Sequence, residues 1–341
     1  MVGVDDPPLT AEQAGQLVMM MQMILVGVGA GLATALLFAS VASGALISIP
    51  LFYLSPLPIL IAALGWSHWS ALIAAVIAGG GLALFLGGYF FVAFLIGIGL
   101  PAWWLGYLAL LARPAANPAD GMEWYPPGQL VVWAGFLGAG VVIAAIPTFG
   151  FDEESYRAGL RGVFERMLKT PGRTGVDSPF QVPGFDPKKF VDFLVVVIPL
   201  AGAALASLTS TLNLWLAARA VRLSGRLKRP WPDLPGMQFP AFVPATLAVA
   251  IGVSFLSGLA GIVGGIVSVG LLTAYLVLGF AVLHSITRNA GGRSILIGTS
   301  YGAVFILGWP ALLIMMLGLA DSIFNLRGRI GNGRPPALPT R

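Results

Sequence analysis

Leu17-Val-Met-Met-Met-Gln-Met-Ile-Leu-Val-Gly-Val-Gly-Ala-Gly-Leu-Ala-Thr-Ala-Leu-Leu-Phe-Ala-Ser-Val-Ala42 carries no charged side chain. The gap is longer than the quoted stretch. Between Glu12 and Arg113 the chain contains no Asp, Glu, Lys or Arg. A water-soluble domain cannot be built this way, because its surface is rich in charge and unpaired charges almost never stay buried. A lipid-facing surface needs no charge. The stretch reads as the first spanning helix of an integral membrane protein.

Composition supports this reading. Hydrophobic residues make up 57% and charged residues 10% of the 341 positions, and the mean hydropathy is +0.88. Globular domains carry about 25% charged residues. The 45 glycines and 25 prolines suit membrane helices, which tolerate both. The start of the sequence lacks the basic n-region of a signal peptide, and its first apolar run is too long for an h-region, so that run reads as a retained helix. There is no cysteine, so disulfides, thiolate metal sites and Cys nucleophiles are excluded. The net charge of +5 sits in loops, where it suits anionic lipid headgroups. No basic-aromatic nucleic-acid motif is present.

A spanning helix takes about 20 apolar residues. Nine blocks qualify: 17–42, 46–65, 70–87, 89–112, 129–149, 190–218, 242–257, 262–286 and 295–320. The second contains Pro50, Pro56 and Pro58 and is expected to be broken or re-entrant. The last contains Gly308 and Pro310 and is expected to kink. The predicted fold is therefore all-α: a polytopic transmembrane bundle of about nine spans, with eight to ten as the range. A single transmembrane domain is expected over 17–326, between an acidic tail (1–16) and a basic one (327–341). Its extramembrane segments are 113–128, 151–189 and 219–239. The middle one is expected to hold an interfacial amphipathic helix from Asp152 to Thr170. Asp152, Glu153 and Glu154 sit at its start, Arg166 and Lys169 at its end. One face carries Tyr156, Leu160, Val163, Phe164, Met167 and Leu168. Pro171 and Gly172 stop it. The basic loops place the N-terminus in the cytoplasm by the positive-inside rule; the side of the C-terminus is left open.

Polar groups inside lipid are functional candidates by default. They are Asn213, His284, Asp192, Asp321 and the Tyr301 hydroxyl. Asp192 is expected to pair at the interface with Lys188 and Lys189, and Asp321 with Arg327 and Arg329. Asn213 needs a hydrogen-bond partner, either another helix or a substrate. His284 sits at a helix end, and His68 lies between Trp66 and Trp69 in an aromatic belt. Small residues at four-residue spacing (Gly27, Gly31 and Ala35; Ala260 and Gly264; Gly261 and Gly265) let backbones approach closely, within the chain or against a partner subunit. With two histidines and no cysteine there is no metal-binding motif, and no nucleophile elbow, P-loop or paired mid-membrane carboxylate is visible. The chain is read as a non-enzyme without cofactor.

Three segments carry a family resemblance: Asn213-Leu-Trp-Leu-Ala-Ala-Arg219 with the basic loop and the Leu234-Pro235 turn; Gly279-Phe-Ala-Val-Leu-His-Ser-Ile-Thr-Arg288; and Leu317-Gly-Leu-Ala-Asp-Ser-Ile-Phe-Asn-Leu-Arg327. In this order, and with Pro50-Leu-Phe, Pro56 and Pro58 ahead of an apolar helix, they resemble the YybS-like family of bacterial membrane proteins. That family is distantly similar to the S-components of energy-coupling-factor vitamin transporters. The resemblance implies a multi-pass protein of the bacterial plasma membrane that binds or helps transport a small solute and docks on a membrane partner. The ligand contacts are then expected from Asn213, Tyr301 and His284, with walls from Trp103, Trp104, Trp215 and Trp309, and the docking faces from Gly27, Gly31, Ala35, Gly261 and Gly265. The rival expectation is a scaffold for envelope or division machinery that works through the 152–170 helix and the Arg219–Arg229 loop.

Overall fold

The computed structural model describes residues 10–117, 121–169 and 186–332. The expected stop at Pro171 and Gly172, most of both tails and the centre of the 151–189 segment lie outside these residues. Apart from one short hairpin, the regular structure of the described residues is helical. The hairpin strands β1 (Ala112–Pro114) and β2 (Met122–Trp124) pair antiparallel, with Arg113 opposite Glu123.

Seven helical segments are long and apolar enough to cross a membrane: Ala11–Ser43, Ser48–Gly65, His68–Leu86, Tyr89–Ala109, Pro127–Thr148, Pro187–Leu223 and Leu259–Ile286. Two of the nine expected blocks come out differently. The block at 242–257 forms only α10 (Val243–Ser254), short of a span. The last block breaks at Gly308, whose φ of 74° stops a helix, into α12 (Arg293–Leu307) and α13 (Pro310–Phe324). The contacts group the chain into two compact units: residues 1–125 with 212–230, and 126–211 with 231–341.

The first unit begins with α1 (Ala11–Ala39), capped by Thr10, whose side chain accepts from the Gln13 amide while Gln13 returns a bond to the Thr10 amide. At about 43 Å this helix exceeds the hydrocarbon core, a mismatch that tilting ordinarily absorbs. Its buried residues are Gly27, Gly31 and Thr34. A Cβ at Gly27 would stand 2.8 Å from Ile73, and one at Gly31 the same distance from Ile77. Both partners lie on α4 (His68–Leu86). This small-residue face is packed against the unit's own helix α4. The proline-rich block is broken as expected, into α2 (Ser48–Tyr53) and α3 (Leu57–Gly65). The fourth span starts as α5 (Tyr89–Phe94), widens to a π-turn at Leu95–Gly99 and resumes as α6 (Leu100–Ala109). Pro101 explains the widening, since it has no amide to donate and its ring crowds the preceding turn. Alanine dominates the core here: Ala62, Ala63, Ala71, Ala74, Ala75 and Ala78 are fully buried. Small side chains let helices pack without a hydrophobic driving force between them.

In the second unit α11 (Leu259–Ile286) is the central helix. Its glycines meet backbone directly. A Cβ at Gly270 would strike the Gly135 carbonyl of α7 (Pro127–Ala145), and one at Gly279 the Ile314 carbonyl of α13. Gly261 and Gly264 abut the turn after α10, and Gly265 lies near Leu200, so this stripe too is packed within the unit. Buried hydroxyls bond back into their own helices: Ser207 to Ala203, Ser268 to Gly264, Thr273 to Val269 and Thr287 to Leu283. Lipid offers no acceptor, so the chain supplies one.

The amphipathic helix is present as α8 (Glu153–Lys169). Its apolar face packs on protein: Tyr156 and Leu160 are buried with Ala139, Ile146, Val191 and Val195. Asp152 caps it, accepting from the Ser155 amide at 2.9 Å.

Candidate functional site

Helix α9 (Pro187–Leu223) carries Asn213 and Trp215 in its final, first-unit portion. Asn213 is buried, and its Nδ2 donates to the Tyr53 carbonyl at 2.8 Å. Tyr53 ends α2, where the break before Pro56 frees a carbonyl from its helical partner. Asn213 caps that broken helix. Trp215 is 42% exposed, on the surface of the bundle. On α6, Trp103 stacks on Tyr107 and Trp104 lies tilted against it. His68 meets Trp69 and Tyr107 at ring distances of 4.9 and 5.3 Å.

The other candidates belong to the second unit. Tyr301 lies flat on Phe280, with centroids 4.1 Å apart. His284 sits edge-on to Tyr301 at 5.9 Å, and its Nδ1 donates to the Phe280 carbonyl at 2.9 Å. Tyr301 and His284 are thus brought together in one aromatic knot between α11 and α12. Trp309, at the α12–α13 turn, is 61% exposed and stands apart from it.

Beside the knot, α12 and α13 enclose an open groove of about 530 Å³, lined by Ile295, Thr299, Ser300, Ala303, Leu313 and Ile314 among others. Helix α12 has no buried residue. Gly298 and Gly302 lie one turn apart on it, and a Cβ at either would meet nothing within 4 Å among the described residues. Sequence reading missed this pair, although it has the same spacing as the stripes that were singled out.

The ion pairs differ in part from expectation. Asp192 pairs with Arg161 of α8 and not with Lys188 or Lys189. The correct partner became visible only once α8 docked. Asp321 does pair with Arg327, at 2.7 Å. Asn325, at φ 49°, turns the chain back so that the Arg327 amide also reaches Asp321. The same guanidinium donates to the Pro235 and Met237 carbonyls at 2.6 and 2.8 Å. Arg327 therefore belongs to the folded unit and not to a tail. Arg229, which the sequence reading placed only as the end of the basic loop, plays the matching part in the first unit. It donates to Ala109 at the end of α6 and to Tyr125 after the hairpin, at 3.1 and 3.2 Å. Burial lowers its pKa. Among the described residues no three His, Asp or Glu side chains come close enough to hold a metal.

Glu153 ties α8 to the start of α11. It accepts from Arg157 and from the Gly258 amide, both at 2.8 Å. The Arg157 hydrogen bond, then that amide, hold its carboxyl below the ordinary range, and the Ser155 hydroxyl and amide do the same for Asp152. A depressed carboxyl stabilises the fold above its unfolded pKa and loses that contribution as pH falls through the depressed value. Protection of Gly258 and of α8 against hydrogen exchange, taken relative to the intrinsic exchange rate at each pH, is expected to fall on acidification, and Glu153→Gln is expected to make protection at Gly258 largely insensitive to pH. Unchanged protection of wild-type Gly258 across that range would refute the tie.

Seven helices long and apolar enough to cross a membrane, nearly free of charge over their apolar stretches, and large apolar side chains on the outside define a multi-pass α-helical membrane protein. The chain belongs to the DUF2232 family of predicted membrane proteins, whose match covers residues 31–322. No curated protein and no solved structure matches it.

Proposed function

We propose that the chain is a non-enzymatic membrane subunit that binds a lipid-soluble small molecule in the groove between α12 and α13 and docks on a membrane partner through the bare face of α12. The groove carries this reading. Its volume of about 530 Å³ falls in the ligand-site range, roughly 300–1,000 Å³. Its walls are apolar, with the hydroxyl-bearing Thr299 and Ser300 among them. The reading keeps the S-component analogy in its physical type, a binding subunit with a small-residue docking face. It moves the ligand contacts from Asn213, whose amide caps α2, to the Thr299–Ala303 region beside Tyr301.

A scaffold without ligand is the second reading, and the bare Gly298/Gly302 face alone favours it. Thermal unfolding of the purified protein against a library of lipid-soluble metabolites separates the two. The binding reading predicts a specific compound that raises Tm, with the shift abolished by Ala303→Trp, which fills the groove. A full library without a shift, together with a protein captured through α12, would establish the scaffold instead.

A further inference from the structure

Helix α4 is 19 residues long, about 28 Å, close to the thickness of the hydrocarbon core at about 30 Å. We read its His68 end, flanked by Trp66 and Trp69, as the headgroup level of the first unit. Other helix ends gather at that level. Val221 packs on Gly65, the last residue of α3. Lys228 Nζ donates to the Trp66 carbonyl at 3.0 Å. The Arg226 guanidinium lies 4.6 Å from the centre of the Trp66 ring. Arg229 reaches the end of α6.

The net charge at this surface is positive. Arg219, Arg222, Arg226 and Lys228 are exposed, and Arg229 is buried. The acids among the described residues of this unit are Glu12, in the first turn of α1, and Glu123, which Arg113 holds at 2.8 Å. The Nε–H of Arg229 is buried without an acceptor among the described residues. Trp66, His68 and the 57% exposed Trp69 rim the patch, as aromatic side chains do at headgroup level. Exposed cations on the rim of an apolar bundle attract anions at the same depth, and phosphodiesters lie there.

We propose that this end of the first unit is a binding surface for acidic phospholipid headgroups. Arg219, Arg222, Arg226 and Lys228 donate to phosphate oxygens while Trp66 and Trp69 sit at the acyl–headgroup boundary. The proposal is independent of the groove in the second unit.

The test uses the full-length protein in bilayers of equal phosphatidylglycerol and phosphatidylethanolamine, with retained lipids counted by native mass spectrometry. A basic side chain near the surface contributes about fivefold in preference for acidic lipid. Allowing for incomplete additivity, wild type should retain phosphatidylglycerol with at least about tenfold preference, and added salt should weaken it. Replacing the four residues by Gln should remove most of the preference, and replacing the three arginines by Lys should keep it. Arg288→Gln with Arg293→Gln, in the other unit, should leave it unchanged. Equal retention of both lipids by wild type, or the same preference in the Gln variant, would overturn the proposal. Capture of an acidic protein without any lipid preference would also overturn it. If the Gln variant does not fold, the salt series and the Lys variant decide: a salt-insensitive preference, or its loss with Lys, contradicts the surface.

Discussion

Asp321→Ala is expected to destabilise the second unit by about 3–5 kcal/mol, the typical effect of leaving one partner of a buried pair uncompensated. The geometry puts this pair near the top of that range. Only 4% of the Asp321 side chain and 12% of the Arg327 side chain is exposed. Asp321 accepts from the Arg327 amide, Nε and Nη2, while the same guanidinium clasps the Pro235 and Met237 carbonyls. Removing the carboxylate strands a cation and slackens the anchor of the 235–237 turn. Asp321→Leu paired with Arg327→Met is expected to recover much of the loss, because replacing both buried ions by apolar groups is often close to neutral. Unfolding in detergent, read as a double-mutant cycle, measures the coupling. An Asp321→Ala loss below about 1 kcal/mol, the scale of an exposed ion pair, would show that the pair is solvated.

Gly279→Val and Gly318→Val are each expected to cost about 3 kcal/mol, the upper part of the usual range for overpacking. In most overpacked sites a side chain can move aside. Here the obstacle is backbone. A Cβ at Gly318 would stand 2.5 Å from the Tyr275 carbonyl and 2.8 Å from the Gly279 amide nitrogen, and one at Gly279 would overlap the Ile314 carbonyl. Helices α11 and α13 have to separate, which opens the core around Tyr275, Leu278 and Val282. Gly298→Val and Gly302→Val carry the same substitution on α12, where a Cβ meets nothing within 4 Å, and are expected to stay within about 0.5 kcal/mol. Equal losses at all four positions would show that close backbone approach does not set the effect, since helix propensity alone favours Val over Gly.

The membrane character was legible because charge is absent over most of the first third of the chain, and no packing arrangement changes what that implies. The break in the second span was legible from Pro50, Pro56 and Pro58; Gly308 and Pro310 marked the place of a kink in the last block, where the structure makes a full break. The Asp321–Arg327 pair was legible because its members are close in sequence. Pairing that depends on docking was not. Arg161 is far in sequence from Asp192, and nothing in either local pattern names the other. Composition could not tell a filled small-residue stripe from a bare one, since Gly27/Gly31 and Gly298/Gly302 read alike until Ile73 and Ile77 are seen against the first pair. Trp215 and Trp309 were expected in a pocket. Large aromatics serve lipid-facing surfaces equally well, and both residues are substantially exposed.

Because the sequence contains no cysteine, single cysteines can report the environment of chosen positions without background. Leu36 and Val76 are 73% and 46% exposed on the protein. Ser224, in the basic loop after α9, is exposed as well. In sealed membranes opened only to give a charged, membrane-impermeant maleimide access to both faces, Ser224→Cys is expected to label, while Leu36→Cys and Val76→Cys remain unlabelled until detergent strips the lipid away. Labelling of Leu36→Cys and Val76→Cys at the Ser224→Cys rate in intact membranes would place these helices in water and contradict the account.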